Sequence, residues 1–338
     1  STGKKSFFQK TSTWIRGNFF IPDARIFWVY PSVKFLRAYI EKHQISKIVT
    51  TGPPHSVHLI GLKLKNKNPL LTWIADFRDP WSEWDLLDTL SLTSIARKKH
   101  QQLEGRVLRT ADKVITIAPY HVQRFEELGG RRVELVTNGF DEDDFKDIAH
   151  ERTAKFTIRH IGIVDELRDP RPVMNALKEI ALSDPEFARN TSVEFIGNVN
   201  SAFKKFVLDD PVMSGFTTFI DTIPHAQLLK LYGQTDVQLL VLAFTMQAPG
   251  NLPGKMFEYL ASGNRVLAIG PTEGDAAVVL NKTHAGEVFE HADKEGIKNS
   301  ILVHYGNWKK GVKNASRDVS AFTRKNLTAQ LIKILEDS

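Results

Sequence analysis

Two series of short β-branched runs, each alternating with helical patterns, constrain this 338-residue chain more than any other feature. In the first series, runs at 47–51, 71–75, 113–117 and 133–137 alternate with helical stretches at 31–43, 55–65, 91–111 and 119–128. A second series begins at Phe156 and continues at 193–196, 217–220, 237–242, 265–269 and 286–289. Strand and helix in alternation give a parallel sheet covered on both faces, so an α/β chain with two doubly wound Rossmann-like domains is predicted. The polar segment 141–154 reads as the join. The expected domains are therefore 1–150 and 151–317, with an amphipathic helix over 318–338 packing back on the first. Ligands of such sheets bind beyond the carboxyl ends of the strands, which places the expected site in a cleft that the two domains face.

Composition narrows the class. The longest apolar run, from Val237 to Phe244, has the length of a buried strand and not of a bilayer span. The absence of cysteine removes disulfide and thiolate chemistry and fits a reducing cytoplasm. The net charge of +6 is concentrated near the start of the chain, where Lys4, Lys5, Lys10 and Arg16 interleave with Phe7, Phe8, Trp14, Phe19 and Phe20. Two readings stay open for that segment: peripheral contact with an anionic membrane, at the inner face of the cytoplasmic membrane, or an exposed edge whose aromatics pack on the domain. No zinc-finger spacing, RNP-like aromatic motif or recognition helix points to nucleic acid.

The motifs that carry chemistry lie at expected strand ends. Pro253-Gly254-Lys255-Met256-Phe257-Glu258 places a cation and a carboxylate in the first turn of a helix that opens after a Pro-Gly loop. Free N–H groups and partial positive charge there, joined by a lysine, suit a phosphate, and the glutamate can accept hydrogen bonds from sugar hydroxyls. The alternative is a solvated Lys/Glu pair worth about 0.2–0.5 kcal/mol. In the run from Arg159 to Arg168, Gly162 lets a phosphate or sugar approach the backbone and Arg168 is placed to pair with it. Gly52, Pro53 and His55 come after the first strand, and Asp76, Arg78 and Asp79 after the second. Asp76, at the strand end, is the stronger candidate for function. Asp79 serves equally well as part of an ion-pair cluster around Arg78, and His55 as a histidine satisfied by backbone. Asp141-Glu142-Asp143 reads as a solvated acidic turn, so no metal is expected. Neither a dinucleotide fingerprint nor a P-loop is present, and no cofactor is expected.

Together, Thr51-Gly52-Pro53-Pro54-His55-Ser56, Ala75-Asp76-Phe77-Arg78-Asp79-Pro80-Trp81, Thr137-Asn138-Gly139-Phe140-Asp141, His160-Ile161-Gly162 with Arg168, and the 253–261 motif resemble the family-4-type glycosyltransferases of the GT-B fold. The likeness is strongest to a bacterial branch that assembles surface polysaccharide or lipid-linked glycan, and it covers nearly the whole chain. It implies a nucleotide-sugar donor as co-substrate, a glycan or lipid-linked acceptor, and transfer with retention and without metal. By the same resemblance Lys255 and Arg168 hold the donor diphosphate, Glu258 the ribose, and the 221–225 turn with Ile223 the base, with Gly162, Asn251 and Gly254 beside them. Asp76, His55 and Arg78 become the catalytic candidates, and Gly52, Pro53 and Asp79 line the acceptor side. Two departures stand out. Gly250 occupies the place where the family carries a second glutamate, and the family's opening strand, glycine loop and helix have no counterpart, which reads as a fragment. A nucleotide-sugar epimerase and a non-catalytic scaffold on the same fold are the rival readings.

Overall fold

The computed structural model describes residues 7–337. The chain forms two units, one running to Thr137 and including the chain from Thr328 onward, the other comprising Asn138–Leu327.

The first unit holds a parallel four-stranded sheet in the order β1-β2-β3-β4, formed by Lys47–Gly52, Thr72–Phe77, Lys113–Thr116 and Glu134–Leu135. Its principal helices before the last one are α1 (Phe7–Phe19), α2 (Val29–Lys42), α3 (Ser56–Lys67), α4 (Ser94–Thr110) and α5 (Pro119–Gly129). Trp73, Phe77, Trp81, Val107 and Phe125 form the centre of its core. Helix α3 lies so close to β2 that a Cβ on Gly61 would overlap the Trp73 indole, whose Nε1–H donates to Thr50 Oγ1 at 2.9 Å. The fourth strand is shorter than the expected 133–137.

The second unit holds a parallel six-stranded sheet in the order β10-β9-β8-β5-β6-β7. In chain order these are β5 (Phe156–Ile161), β6 (Thr191–Ile196), β7 (Thr217–Ile220), β8 (Val237–Val241), β9 (Arg265–Ile269) and β10 (Gly286–Phe289). The principal helices are α6 (Arg171–Ser183), α7 (Ser201–Leu208), α8 (His225–Tyr232), α9 (Gly254–Ala261), α10 (Asp275–Lys282) and α11 (Lys294–Lys309). Every residue of β5 and β8 is buried, as expected for central parallel strands. The chain leaves β5 toward β6 on one side and returns through β8 on the other. The strand order therefore reverses between β5 and β8, and the crevice at their carboxyl ends is where a ligand of this fold binds.

The division between units falls before the expected position at residue 150, and the cause is packing. Asn138 donates through Nδ2 to Leu252 O at 3.1 Å, and Phe145 packs on Tyr232. Gly233 meets Ala149 so closely that no Cβ fits, and its carbonyl accepts from Glu151 N at 2.9 Å. The polar 141–154 segment is thus part of the second unit. The last helix, α12, spans Arg324–Glu336 and not the whole of 318–338, because Ser320–Phe322 forms a separate single turn and the Thr323 hydroxyl accepts from Asn326 N. Its end belongs to the first unit, where Ile334 packs with Ile74 and Ile115 and Gln330 donates to Leu135 O.

Lys4 and Lys5 of the basic, aromatic segment lie outside the described residues. In the rest of it, Phe8, Trp14, Ile15 and Phe19 of α1 are exposed, as are Phe27, Tyr30, Phe35 and Tyr39 on and before α2. Among the described residues no helix is long and apolar enough to cross a membrane.

Candidate active site

In the second unit, the loops that leave β5 and β8 meet at the reversal point, where Phe244 N donates to Leu167 O at 2.7 Å. Helix α9 opens beside them. Its residues Lys255 and Tyr259, one turn apart, share the face turned to β5. The Tyr259 hydroxyl accepts from Ile161 N at 3.0 Å and so pins the helix to the strand end. Lys255 is directed at the next residue, because a Cβ built on Gly162 would lie 2.8 Å from its Nζ. Gly162 itself has φ +136°, and Gly197, with φ +125°, packs on the Gly162 carbonyl with no room for a side chain. Glycine is required at both positions on sterics and on backbone conformation.

The Lys255 ammonium is half-buried and has no hydrogen bond or ion pair among the described residues. Burial pushes its pKa down to about 8, the neighbouring Arg168 contributes in the same direction, and Asp165 opposes both. Arg168 is paired with Asp165, Nη1 to Oδ2 at 2.8 Å, and the other oxygen of Asp165 accepts the N–H of Arg168 at 2.8 Å. That side-chain pair occupies one of the five guanidinium donors. His160 lies beneath, fully buried, with Nδ1–H donating to Leu239 O at 3.0 Å. Burial, and then the Lys255 charge, lower its pKa to about 3, so it adds no charge to the site.

Glu258 is turned away from Lys255 toward α8. Its Oε2 accepts from the Tyr232 hydroxyl at 2.6 Å and its Oε1 lies 3.2 Å from His225 Nε2. Tyr232 is fully buried, and burial, then Tyr259 and Glu258, raise its pKa so that it remains a donor. The two charged residues of the motif therefore serve separate positions, in place of the solvated Lys/Glu pair that their spacing also allowed. Ile223 is half-buried in the turn two residues before His225, Asn251 is half-buried after the Ala248–Gly250 turn, and Gly254 is exposed with open space above its Cα. Gly250 is buried, so that position presents no side chain to a ligand.

In the first unit, Asp76 stands opposite Thr51 and Ile115 near the end of β2. Burial raises its pKa, opposed by the Arg78 charge and a hydrogen bond with Thr51. Burial also raises Asp79, again opposed by Arg78. Arg78 is exposed, and its N–H donates to Gly52 O at 3.0 Å, tying the two loops together. Gly52 is buried under His58, whose Nε2 lies 2.6 Å from where a Cβ would stand, while Pro53 is exposed.

His55 occupies the position before α3, but its ring neither caps the helix nor reaches the surface. It is 3% exposed, lies parallel to the Trp81 ring at 5.5 Å, and has no hydrogen-bond partner on either ring nitrogen. Burial lowers its pKa to about 4. Packing against the rings of Phe77 and Trp81 holds the imidazole in place. The cap comes instead from Asp23, whose oxygens accept Ser56 N at 2.7 Å and Ser56 Oγ at 2.9 Å.

No motif or spacing in the chain marks the residue that shapes the loop after β2. Glu104, 1% exposed, accepts from Trp81 N at 3.0 Å, from Ser82 N at 3.1 Å and from the Ser82 hydroxyl. Trp81 Nε1–H donates to His100 Nδ1 at 3.0 Å, and Arg124 pairs with Glu83. The loop that carries Arg78 and Asp79 is thereby fixed from below. Among the described residues, no group of three or more His, Cys, Asp or Glu side chains is disposed to hold a metal ion.

No protein-family model matches the sequence, and no curated protein matches it significantly. Solved structures do match. Sucrose-phosphate synthase from Thermosynechococcus elongatus aligns with a TM-score of 0.66 at 15% identity, over 93% of this chain and 79% of that one. The chain has the GT-B fold. The Anabaena protein HepE, solved in complex with UDP and glucose, shares this GT-B architecture with a TM-score of 0.64 at 14% identity, covering 92% of this chain and 81% of that chain. A putative UDP-N-acetylglucosamine 2-epimerase from Listeria monocytogenes aligns at 0.57 and 11% identity, over 91% and 78%. The GT-B resemblance read from the motifs thus holds at the level of the fold.

Proposed function

We propose that this protein is a retaining glycosyltransferase that moves a sugar from a nucleotide-sugar donor to a glycan or lipid-linked acceptor in surface-polysaccharide assembly. The observation that carries this reading is the unpaired Lys255 ammonium between Gly162 and Arg168, with the fixed Glu258 carboxylate one turn further along α9. In this reading the donor diphosphate lies against Lys255 and Arg168, the ribose hydroxyls on Glu258, and the base along the turn that carries Ile223. As the bond from the anomeric carbon to the diphosphate breaks, negative charge collects on the leaving phosphate. Two preplaced cations stabilise it there, and metal is not needed for that task. The phosphate oxygen then accepts the acceptor's proton while the new bond forms on the same face. Asp76, on its rigid strand end, orients the acceptor, with Arg78 and Asp79 beside it. The exposed aromatics of α1 and α2, with Lys10, Arg16, Lys34 and Arg37 also exposed, support peripheral contact with an anionic membrane.

The Listeria epimerase structure makes donor epimerisation the second reading. A panel of nucleotide sugars separates the two. Nucleoside diphosphate released only when an acceptor is added supports transfer, conversion of the donor with no acceptor supports epimerisation, and neither across the panel removes the proposed activity.

A further inference from the structure

A cavity of about 670 Å³ opens in the second unit at the other end of its sheet, lined by residues that start β5 and β9 and end α9 and α11. Phe156 lies at its wall, five residues along β5 from Ile161, so the cavity is roughly 17 Å from the Lys255 site at about 3.3 Å per residue. Its volume is that of a small-molecule site.

The lining is cationic. Arg152, Arg265, Lys313 and Arg317 contribute to it, and none forms an ion pair among the described residues. The carboxylates on the wall are Glu151, which accepts from Gln234, and Asp236, which accepts from Thr157 N and lies within electrostatic reach of Arg152. Arg317 donates to the carbonyls of Gly263, Asn264 and Ala285, which leaves two of its five donors. Burial, and then the nearby Arg265, lower its pKa to about 10. Trp308, also on the wall, has a buried indole N–H with no hydrogen-bond partner. Like charges gathered in a cavity repel one another unless an anion completes them, and a guanidinium fork matches phosphate geometry.

We propose that this cavity is a second ligand site, taking a small phosphate monoester of about the size of a sugar phosphate, with its phosphate held by Arg265, Arg317 and Lys313. The site is independent of the donor reading. Calorimetry on the full chain, with glucose 6-phosphate as the probe, tests it. Saturable binding is expected, undiminished in Lys255→Ala, and weakened about tenfold or more in Lys313→Gln and in Arg265→Gln. Lys313 is exposed, and a glutamine at 265 retains a donor for His284 O, the carbonyl that Arg265 now meets at 2.9 Å. Thermal melting confirms that both variants are folded. Absence of saturable binding at millimolar concentrations overturns the proposal. So does binding that both variants retain in full, or binding that Lys255→Ala abolishes, which would assign the phosphate to the other end of the sheet.

Discussion

Replacing Lys255 by alanine is expected to weaken binding of a nucleoside diphosphate about ten- to 150-fold at pH 7. An arriving phosphate finds a half-buried ammonium with no competing partner, so the contact is a charge-assisted hydrogen bond worth about 1.5–3 kcal/mol, at 1.4 kcal/mol per tenfold. The pH profile adds a sharper test. The Lys255 pKa is pushed down to about 8 by burial and by Arg168, and a bound phosphate must raise it. Binding therefore takes up a proton above that pH. Affinity should be level from pH 7 to about 8 and then fall about tenfold per pH unit until the pKa of the bound form is reached. Calorimetric titrations with UDP, GDP and ADP from pH 7 to 10 measure both effects. Unchanged affinity in Lys255→Ala refutes the phosphate assignment. An alkaline fall that persists in the variant means that a different group titrates.

Arg168→Ala should weaken a nucleoside diphosphate far more than the free nucleoside, since a phosphate contact has nothing to hold in the latter; equal losses in calorimetry would make the Arg168–Asp165 pair purely structural. Asp76→Asn should leave diphosphate affinity unchanged yet abolish transfer, and normal transfer would remove Asp76 from the acceptor side. Glu104→Ala strands three buried donors at Trp81 and Ser82 and is expected to cost at least about 3 kcal/mol in urea denaturation, with Glu104→Gln milder; a loss under about 1 kcal/mol would contradict the clamp. His55, His100 and His121 have pKa values lowered to about 4 by burial, and His58 is lowered as well. Their NMR signals should show no titration from pH 8 to 5. Because the unfolded chain takes up these protons near pH 6.5 and the folded chain does not, each group costs stability as pH falls below that value, by up to about 1.4 kcal/mol per pH unit.

The alternation of β-branched runs with helical periods made both sheets legible, since central parallel strands must be apolar and their ends must turn. The charged residues of α9 were legible for a related reason: a Pro-Gly loop before a helix puts Lys255 and Glu258 in the helix's opening turns. What those residues touch was not legible. Tyr232 reaches Glu258, and Glu104 holds Trp81, across 26 and 23 residues of sequence, with no local pattern linking the partners. The surroundings of His55 were not legible either, because a histidine at the start of a helix reads as one satisfied by backbone, whereas the rings of Phe77, Trp81 and Trp84 pack around it. The unit boundary was masked by polarity, as residues 141–150 are hydrophilic in composition yet belong with the second unit through glycine contacts and the packing of Phe145 on Tyr232.

The central claim is that the crevice between the ends of β5 and β8 holds a nucleoside diphosphate. A crystal structure of the protein soaked with UDP tests it most directly. Diphosphate oxygens are expected within hydrogen-bond distance of Lys255 Nζ and the Arg168 guanidinium, with a ribose hydroxyl on the Glu258 carboxylate. A diphosphate bound elsewhere in the second unit, with Lys255 still unpaired, would contradict the claim.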